Sequence, residues 1–379
     1  MGRGVTGVAV LGSTGSIGRQ TLDVISSFPE RFRVVAISAR SSRDVFSSQV
    51  HRFEPKLISL DERSGLHFPE ARRASPEEIA VHPDVDILVV ATTGKAGLAP
   101  ALAALRAGKP VALANKETLV MAGALLTEAA RQSGASLRPI DSEHSAIWQC
   151  LWGEDHARIG KLILTASGGA FRDLPPEQLQ HVTPGQALAH PTWNMGPKIT
   201  VDSATLFNKG LEVIEARWLF DLPLDQIEVV QHRESIVHSL VEFTDGSVKA
   251  QLGVPDMRLP ILLSLTYPDR STTPQTPALD LAALGALHFG RIDRDRYPLL
   301  GIAIEAGRRG GTYPAALAAA DETAVHHFLA GRISFVDIAQ IVEQVLEKHE
   351  SVSDPSLDQI IAADEWARKA AEETLTSRV

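Results

Sequence analysis

The chain has 379 residues, 44% hydrophobic and 22% charged, a globular composition that excludes wholesale disorder, a collagen-like repeat and a disulfide scaffold. Its 37 Lys and Arg against 46 Asp and Glu leave a formal charge of -9, which argues against nucleic acid or an anionic membrane as partner. The single cysteine, Cys150, forms no internal disulfide, and no apolar run reaches the ~18 residues that span a bilayer, so a cytoplasmic protein is expected.

Strand-like text begins at Val5, so no signal or transit segment is expected. Residues 8–11, 34–38, 57–60, 86–91, 111–114 and 136–140 read as strands, and 98–107 and 122–133 as helices. That alternation predicts an α/β architecture whose N-terminal domain is a doubly wound, Rossmann-like parallel sheet. After Asp141 the pattern changes. Residues 161–165, 227–230, 239–243 and 247–251 read as strands of a second sheet, and about 208–220 as a helix, giving a central α/β domain. A Pro- and Thr-rich stretch from Tyr267 to Ala278 reads as linker, and Ala-rich segments at 315–329 and 335–348 predict a C-terminal α-helical bundle. The expected boundaries are 1–141 for dinucleotide binding, 142–266 for catalysis with a loop at about 187–198, 267–293 for the linker and 294–379 for the bundle.

Gly12-Ser13-Thr14-Gly15-Ser16-Ile17-Gly18 follows the first strand and opens a helix, the context in which a glycine turn brings backbone N–H groups to a pyrophosphate. The spacing is G-x-x-G-x-x-G, a loose match to the dinucleotide fingerprint, and a glycine turn without a ligand is the competing reading. An acidic residue after the second strand would select NAD; Ala39-Arg40-Ser41-Ser42 stands there instead. A guanidinium and two hydroxyls suit the 2′-phosphate of NADP, unless Arg40 is only a solvated charge.

Asp141-Ser142-Glu143-His144 leaves the carboxyl end of the last strand of this sheet. In extended chain Asp141 and Glu143 point to one side, so a cation between them would relieve their repulsion. Oxygen ligands favour Mg²⁺ or Mn²⁺ over zinc; the alternative is a solvated acidic pair. Downstream, Ser167-Gly168-Gly169, His190 to Gly196, Ser203 and Asn208-Lys209-Gly210-Leu211-Glu212 supply hydroxyls, an amide, an ammonium and free N–H groups of the kind that grip a phosphate. Taken singly, Ser203 reads equally as a helix cap, Trp193 as a packed surface aromatic and Lys209 as a solvated charge.

Taken together, these motifs resemble the 1-deoxy-D-xylulose 5-phosphate reductoisomerase family. Similar text covers nearly the whole chain, in order: the glycine turn at Gly12, Leu-Ala-Asn-Lys-Glu at Leu113, Asp-Ser-Glu-His at Asp141, His-Pro-Thr-Trp-Asn-Met-Gly at His190, Val-Asp-Ser-Ala-Thr at Val201 and Asn-Lys-Gly-Leu-Glu at Asn208. The resemblance implies that NADPH and Mg²⁺ or Mn²⁺ support rearrangement and reduction of 1-deoxy-D-xylulose 5-phosphate, a small phosphorylated ketose, to 2-C-methyl-D-erythritol 4-phosphate. This is a step of the non-mevalonate isoprenoid route, carried out by a homodimer in the bacterial cytoplasm. It further implies Asp141, Glu143 and Glu212 as metal ligands, and Lys116, Glu143, Glu212 and His190 as the catalytic set, Lys116 lying near the metal. Ser142 would meet a substrate hydroxyl, and Ser167, Ser203, Asn208 and Lys209 the phosphate, with His190 beside them. Trp193 and Met195 would close over the carbon chain. Gly12, Thr14, Gly15, Ser16 and Ile17 would carry the pyrophosphate, Arg40, Ser41 and Ser42 the 2′-phosphate, and Asn115, Glu117 and Gly196 the rest of the cofactor. His144 and His238 occupy family histidine positions. The departure is after the second strand, where the family has Ala-Gly, a basic residue and Asn, so here the basic group is displaced by one position and the Asn is missing.

Overall fold

In the computed structural model, which describes residues 4–60, 65–193, 195–272, 276 and 278–376, the alternating runs of the first third form a single sheet. Its strands are β1 (Thr6–Leu11), β2 (Phe32–Ser38), β3 (Leu57–Ser59), β4 (Arg72–Arg73), β5 (Ile87–Val90), β6 (Val111–Leu113) and β7 (Leu137–Pro139), in the order β4-β3-β2-β1-β5-β6-β7. Every pairing is parallel. Between them lie α1 (Ser16–Ser26), α2 (Arg43–Phe53), α3 (Pro76–Val81), α4 (Leu98–Arg106) and α5 (Lys116–Ser133). Strands covered by helices on both faces must be apolar throughout, and the central strands are: Val8 to Leu11 and Ile87 to Val90 are all buried. The strand order reverses between β1 and β5, which creates a crevice at their carboxyl ends.

The remaining elements are α6 (Ser142–Cys150), β8 (Ile159–Ala166), α7 (Pro184–Ala187), α8 (Pro197–Thr205), α9 (Phe207–Phe220), β9 (Ile227–His232), β10 (Val237–Phe243), β11 (Val248–Leu252), α10 (Arg258–Thr266), α11 (Leu281–Leu284), β12 (Phe289–Arg291), α12 (Pro298–Arg309), α13 (Tyr313–Leu329), α14 (Asp337–Glu347) and α15 (Leu357–Thr376). The chain divides into two units. The first joins residues 1–119, 123–145 and 256–277; the second joins 120–122, 146–255 and 278–379. In the first, α10 packs Ile261, Leu262 and Leu265 into the core beneath the parallel sheet.

In the second unit the sheet order is β11-β10-β8-β9-β12, antiparallel except for β8 with β9. Leu162, Leu164 and Val241 of this sheet pack on Val213, Ala216 and Phe220 of α9. The Ala-rich helices do not form an isolated bundle, because Ala303, Leu317, Val325 and Ile341 share one core with Val201 of α8 and Phe207 and Leu211 of α9. Past its Pro- and Thr-rich half, the stretch read as linker carries α11 and β12, while residues 273–275 and 277 of it lie outside the described residues. Among the described residues no helix is long and apolar enough to cross a membrane.

Candidate active site

In a parallel sheet the segments after each strand emerge at one edge. After β1, Gly12 takes φ +83, and a Cβ there would sit 2.5 Å from the carbonyl oxygen of Ala91, which follows β5. Gly18 is equally constrained, since a Cβ would lie 2.2 Å from the Gly12 carbonyl oxygen. The turn is tied to β2: the Gly12 and Ser13 N–H groups donate to the Ser38 carbonyl at 3.1 and 2.8 Å. Gly15 is the N-cap of α1 and, having no side chain, makes no cap bond to the first N–H groups of the helix. Around the turn Thr14 and Ile17 are half-buried and Gly15 and Ser16 exposed. Arg40, Ser41 and Ser42 follow β2 and are exposed.

After β6, Asn115 caps α5 by accepting from the Thr118 N–H at 3.1 Å, and its amide donates to Thr92 Oγ1 and to the Gly94 carbonyl. Its side chain ties two sheet-edge segments together; Glu117 beside it is half-buried. After β7, the expectation of an extended Asp141–Glu143 pair is corrected. Residues 142–150 are helical, and Glu143 stands in the first turn of α6, where the helix dipole favours a carboxylate. Asp141 precedes the helix and takes the Ser145 N–H on its main-chain carbonyl at 2.8 Å. Asp141 Oδ2 lies 3.0 Å from Nζ of the buried Lys116 and 3.5 Å from Nδ1 of the fully buried His144. Ser142 Oγ donates to Glu143 Oε2 at 2.6 Å. One edge of the first unit therefore gathers the glycine turn, the Arg40 segment and the Lys116–Asp141–Glu143 group.

The second unit gathers a different set. Gly168 and Gly169 both have positive φ, and a Cβ on Gly169 would lie 2.5 Å from the Ser203 carbonyl oxygen, so the Ser167 turn lies against α8. Ser203 is inside α8 rather than at its cap. Leu206, at φ 57, joins α8 directly to α9, bringing Asn208 and Lys209 into the next turn of chain. Lys209 is buried, not solvated, and pairs with the buried Glu212, whose other oxygen accepts from Asn208 Nδ2 at 2.5 Å.

His190 Nδ1 accepts from the N–H groups of Thr192 and Trp193, at 3.1 and 2.9 Å. A nitrogen that accepts carries no proton, so the neutral ring holds its hydrogen on Nε2, 3.1 Å from Ser167 Oγ. Burial, with a smaller push from Arg172, lowers the His190 pKa to about 4. Ser167 Oγ also accepts from the Gly169 N–H at 3.3 Å, which leaves its own hydrogen to donate elsewhere. Trp193 and Met195 are half-buried, with the Trp193 ring 6.4 Å from that of His238, and the exposed Gly196 caps α8.

Two residues near these groups escape sequence reasoning. Arg172 donates to the Ser167 carbonyl at 3.1 Å and is the cation nearest in effect to His190, yet Phe-Arg-Asp in the text has no ligand-like spacing. Gln49, in the middle of α2, reaches the glycine turn across 36 residues of sequence.

Three family models match: 1-deoxy-D-xylulose 5-phosphate reductoisomerase over residues 8–123, its C-terminal domain over 137–220, and DXP reductoisomerase C-terminal domain over 252–370. The 1-deoxy-D-xylulose 5-phosphate reductoisomerase of Thermomicrobium roseum is 52% identical over 374 residues, 97% of each chain, and that of Pelotomaculum thermopropionicum 52% over 373 residues, 95% of this chain and 96% of the relative. Among solved structures, the Zymomonas mobilis enzyme in complex with NADPH superposes with a TM-score of 0.90 at 40% identity, covering 98% of this chain and 99% of the other. A DOX-P reductoisomerase in complex with NADPH, fosmidomycin and magnesium gives 0.91 at 41% identity, covering 98% of both chains.

Proposed function

The chain belongs to the 1-deoxy-D-xylulose 5-phosphate reductoisomerase family, and on that premise we propose that it converts 1-deoxy-D-xylulose 5-phosphate to 2-C-methyl-D-erythritol 4-phosphate with NADPH and a divalent cation. Asp141, Glu143 and Glu212 hold the cation. The observation that carries this reading is the donor chemistry: carboxylate oxygens alone, the set that Mg²⁺ and Mn²⁺ prefer, with a buried lysine paired to Asp141 and another to Glu212. A lysine beside the half-buried Asp141 and another beside the buried Glu212 offset part of the cost of keeping these carboxylates from water. When bound, the metal would supply Lewis-acid polarisation of the substrate's carbonyl and hydroxyl oxygens, and NADPH the hydride for reduction.

The protein's own part is binding and exclusion of water. Ser167, Ser203, Asn208 and Lys209 hold the phosphate, far from the reacting carbons, so that binding there orients the chain at the metal. The Ser167 hydroxyl donates to a phosphate oxygen, because its lone pairs are taken by the Gly169 N–H and His190 Nε2–H. Neutral His190 orients the Ser167 hydroxyl through its Nε2–H and brings no full charge. Lys116 and Ser142 face the substrate oxygens beside Asp141 and Glu143, and Trp193 and Met195 cover the carbon chain and keep water from the intermediate. Gly12, Thr14, Gly15, Ser16 and Ile17 receive the pyrophosphate, Arg40, Ser41 and Ser42 the 2′-phosphate, and Asn115, Glu117 and Gly196 complete the cofactor site.

The protein acts as a homodimer in the cytoplasm. Supporting the first is β11, an edge strand with Val248 half exposed, of a kind that proteins cover; supporting the second is the lone, buried Cys150, whose thiol burial pushes up to about 11. The testing experiment is NADPH oxidation with the phosphorylated ketose, with and without Mg²⁺ or Mn²⁺. Turnover that appears only with metal is expected; turnover that survives exhaustive EDTA treatment would overturn the reading.

A further inference from the structure

The glycine turn is held from two sides. One is β2, through Ser38, whose Oγ accepts from the Gly12 N–H at 3.1 Å and whose carbonyl takes Gly12 and Ser13. The other is a single side chain of α2. Gln49 is 8% exposed, and its carboxamide makes two bonds to one residue of the turn. Its Nε2–H donates to the Ser13 carbonyl at 2.8 Å, and its Oε1 accepts from Ser13 Oγ–H at 2.7 Å. The chemistry dictates this orientation of the amide, since a carbonyl oxygen can only accept. Ser13 itself is fully buried, and the Ser13 backbone is where Gly18 of α1 packs, a Cβ on Gly18 falling 2.6 Å from Ser13 Cα.

A buried carboxamide is costly without partners, and an aliphatic side chain of the same length would fill the space. What the carboxamide adds is a two-point grip on Ser13. Neither bond reaches a residue assigned to the cofactor, yet Gly12, Thr14 and Gly15 flank Ser13 on both sides. The helix that delivers Gln49 also begins immediately after Ser42, so one rigid element connects the pyrophosphate turn with the 2′-phosphate segment.

We infer that Gln49 is a positioning residue for the dinucleotide: it locks Ser13 and with it the shape of the turn that accepts the pyrophosphate. The inference rests on the reading that this turn binds NADPH. The experiment is calorimetric titration of wild type and Gln49→Met with NADPH and with NADH, alongside steady-state kinetics at saturating Mg²⁺ and thermal melting. For Gln49→Met, loss of both bonds weakens NADPH binding about tenfold, the effect of one to two buried hydrogen bonds. Because the pyrophosphate is common to both cofactors, NADH weakens by the same factor. The kcat at saturating NADPH and the KM for the ketose phosphate stay at wild-type values.

Unchanged NADPH affinity in Gln49→Met overturns the inference, as does an equal loss in kcat, cofactor affinity and ketose KM, which marks a merely structural role. A loss confined to NADPH also overturns it, since the residue would then act through the 2′-phosphate end of α2. If Gln49→Met does not fold, Ser13→Ala removes the hydroxyl that bonds Gln49 Oε1 at 2.7 Å and also lies 3.2 Å from the Ser38 carbonyl, while keeping the Gln49 Nε2–H bond to the Ser13 carbonyl, and should weaken both cofactors about threefold; no change in either overturns the inference. Failure of the wild type to bind NADPH would be a failure of the functional reading itself, and is seen in the control titration.

Discussion

Glu212→Gln exposes the logic of the second unit. Glu212 is 1% exposed, with one oxygen on Asn208 Nδ2 at 2.5 Å and the other on the ammonium of Lys209, which is 4% exposed. A glutamine keeps the volume but offers one acceptor where two donors converge, so its NH₂ must face Asn208 or Lys209. Breaking a buried ion pair from one side costs about 3–5 kcal/mol, because it leaves the other charge uncompensated. Part of that should be visible as a lower melting temperature. Removing one of three anionic ligands should in addition cut turnover by more than ~100-fold, or ~2.7 kcal/mol of barrier. NADPH affinity should survive, since Glu212 is not among the residues assigned to the cofactor. Lys209→Met is the control: it breaks the same pair but keeps the carboxylate, so it should impair binding of the ketose phosphate while leaving metal binding in place. The assays are NADPH oxidation at saturating Mg²⁺, calorimetric melting and cofactor titration. Near-normal turnover in folded Glu212→Gln would refute the assignment of Glu212 to the metal.

Arg40→Asp should weaken NADPH by at least tenfold, the value of a charge-assisted pair to a phosphate, while NADH binding is unchanged or improved; an unaltered preference would dissociate Arg40 from the 2′-phosphate. His190, with its pKa lowered to about 4, should stay neutral with hydrogen on Nε2 at physiological pH, as imidazole ¹⁵N shifts would report. The sign follows: the unfolded histidine takes up a proton near its ordinary pKa of ~6.5 while the folded one does not, so its share of stability is present above that pH and lost as pH falls toward about 4. A ring that protonates at its ordinary pKa in the folded protein would contradict the Nδ1 acceptor geometry. Gly18→Ala sets a methyl 2.2 Å from the Gly12 carbonyl oxygen, and should cost about 1–3 kcal/mol of stability and most of the NADPH affinity; wild-type cofactor binding would show that the turn is not the site.

Much of this architecture is legible in the text because it depends on local period. Within the runs at 8–11, 34–38 and 86–91, Val8 to Leu11, Val34 to Ile37 and Ile87 to Ala91 are continuously apolar, as strands buried on both faces require, and β1, β2 and β5 lie there. What depends on long-range pairing is not legible. The Arg72–Arg73 strand is two charged residues long and exists only because β3 offers an edge. Helix α10, read with the central domain, packs into the core of the first unit because Ile261 and Leu265 find apolar partners there. The extended reading of Asp141–Glu143 failed because a polar run of four residues carries no period, and its acidic residues suit a helix start equally well. For the candidate site, residue types were legible and their partners were not. Spacing alone does not reveal that Lys209 is buried against Glu212, that Arg172 reaches the Ser167 carbonyl, or that Gln49 grips Ser13.

On the proposed function, the carboxylates of Asp141, Glu143 and Glu212 share one hard cation. Titration of Mn²⁺ into the metal-free protein, followed by electron paramagnetic resonance, tests it most directly. One tightly bound Mn²⁺ per chain is expected, with affinity falling at least ~100-fold in each of Asp141→Asn, Glu143→Gln and Glu212→Gln, while the NADPH affinity of each variant is retained. Wild-type Mn²⁺ affinity in any one of these folded variants would remove that carboxylate from the metal.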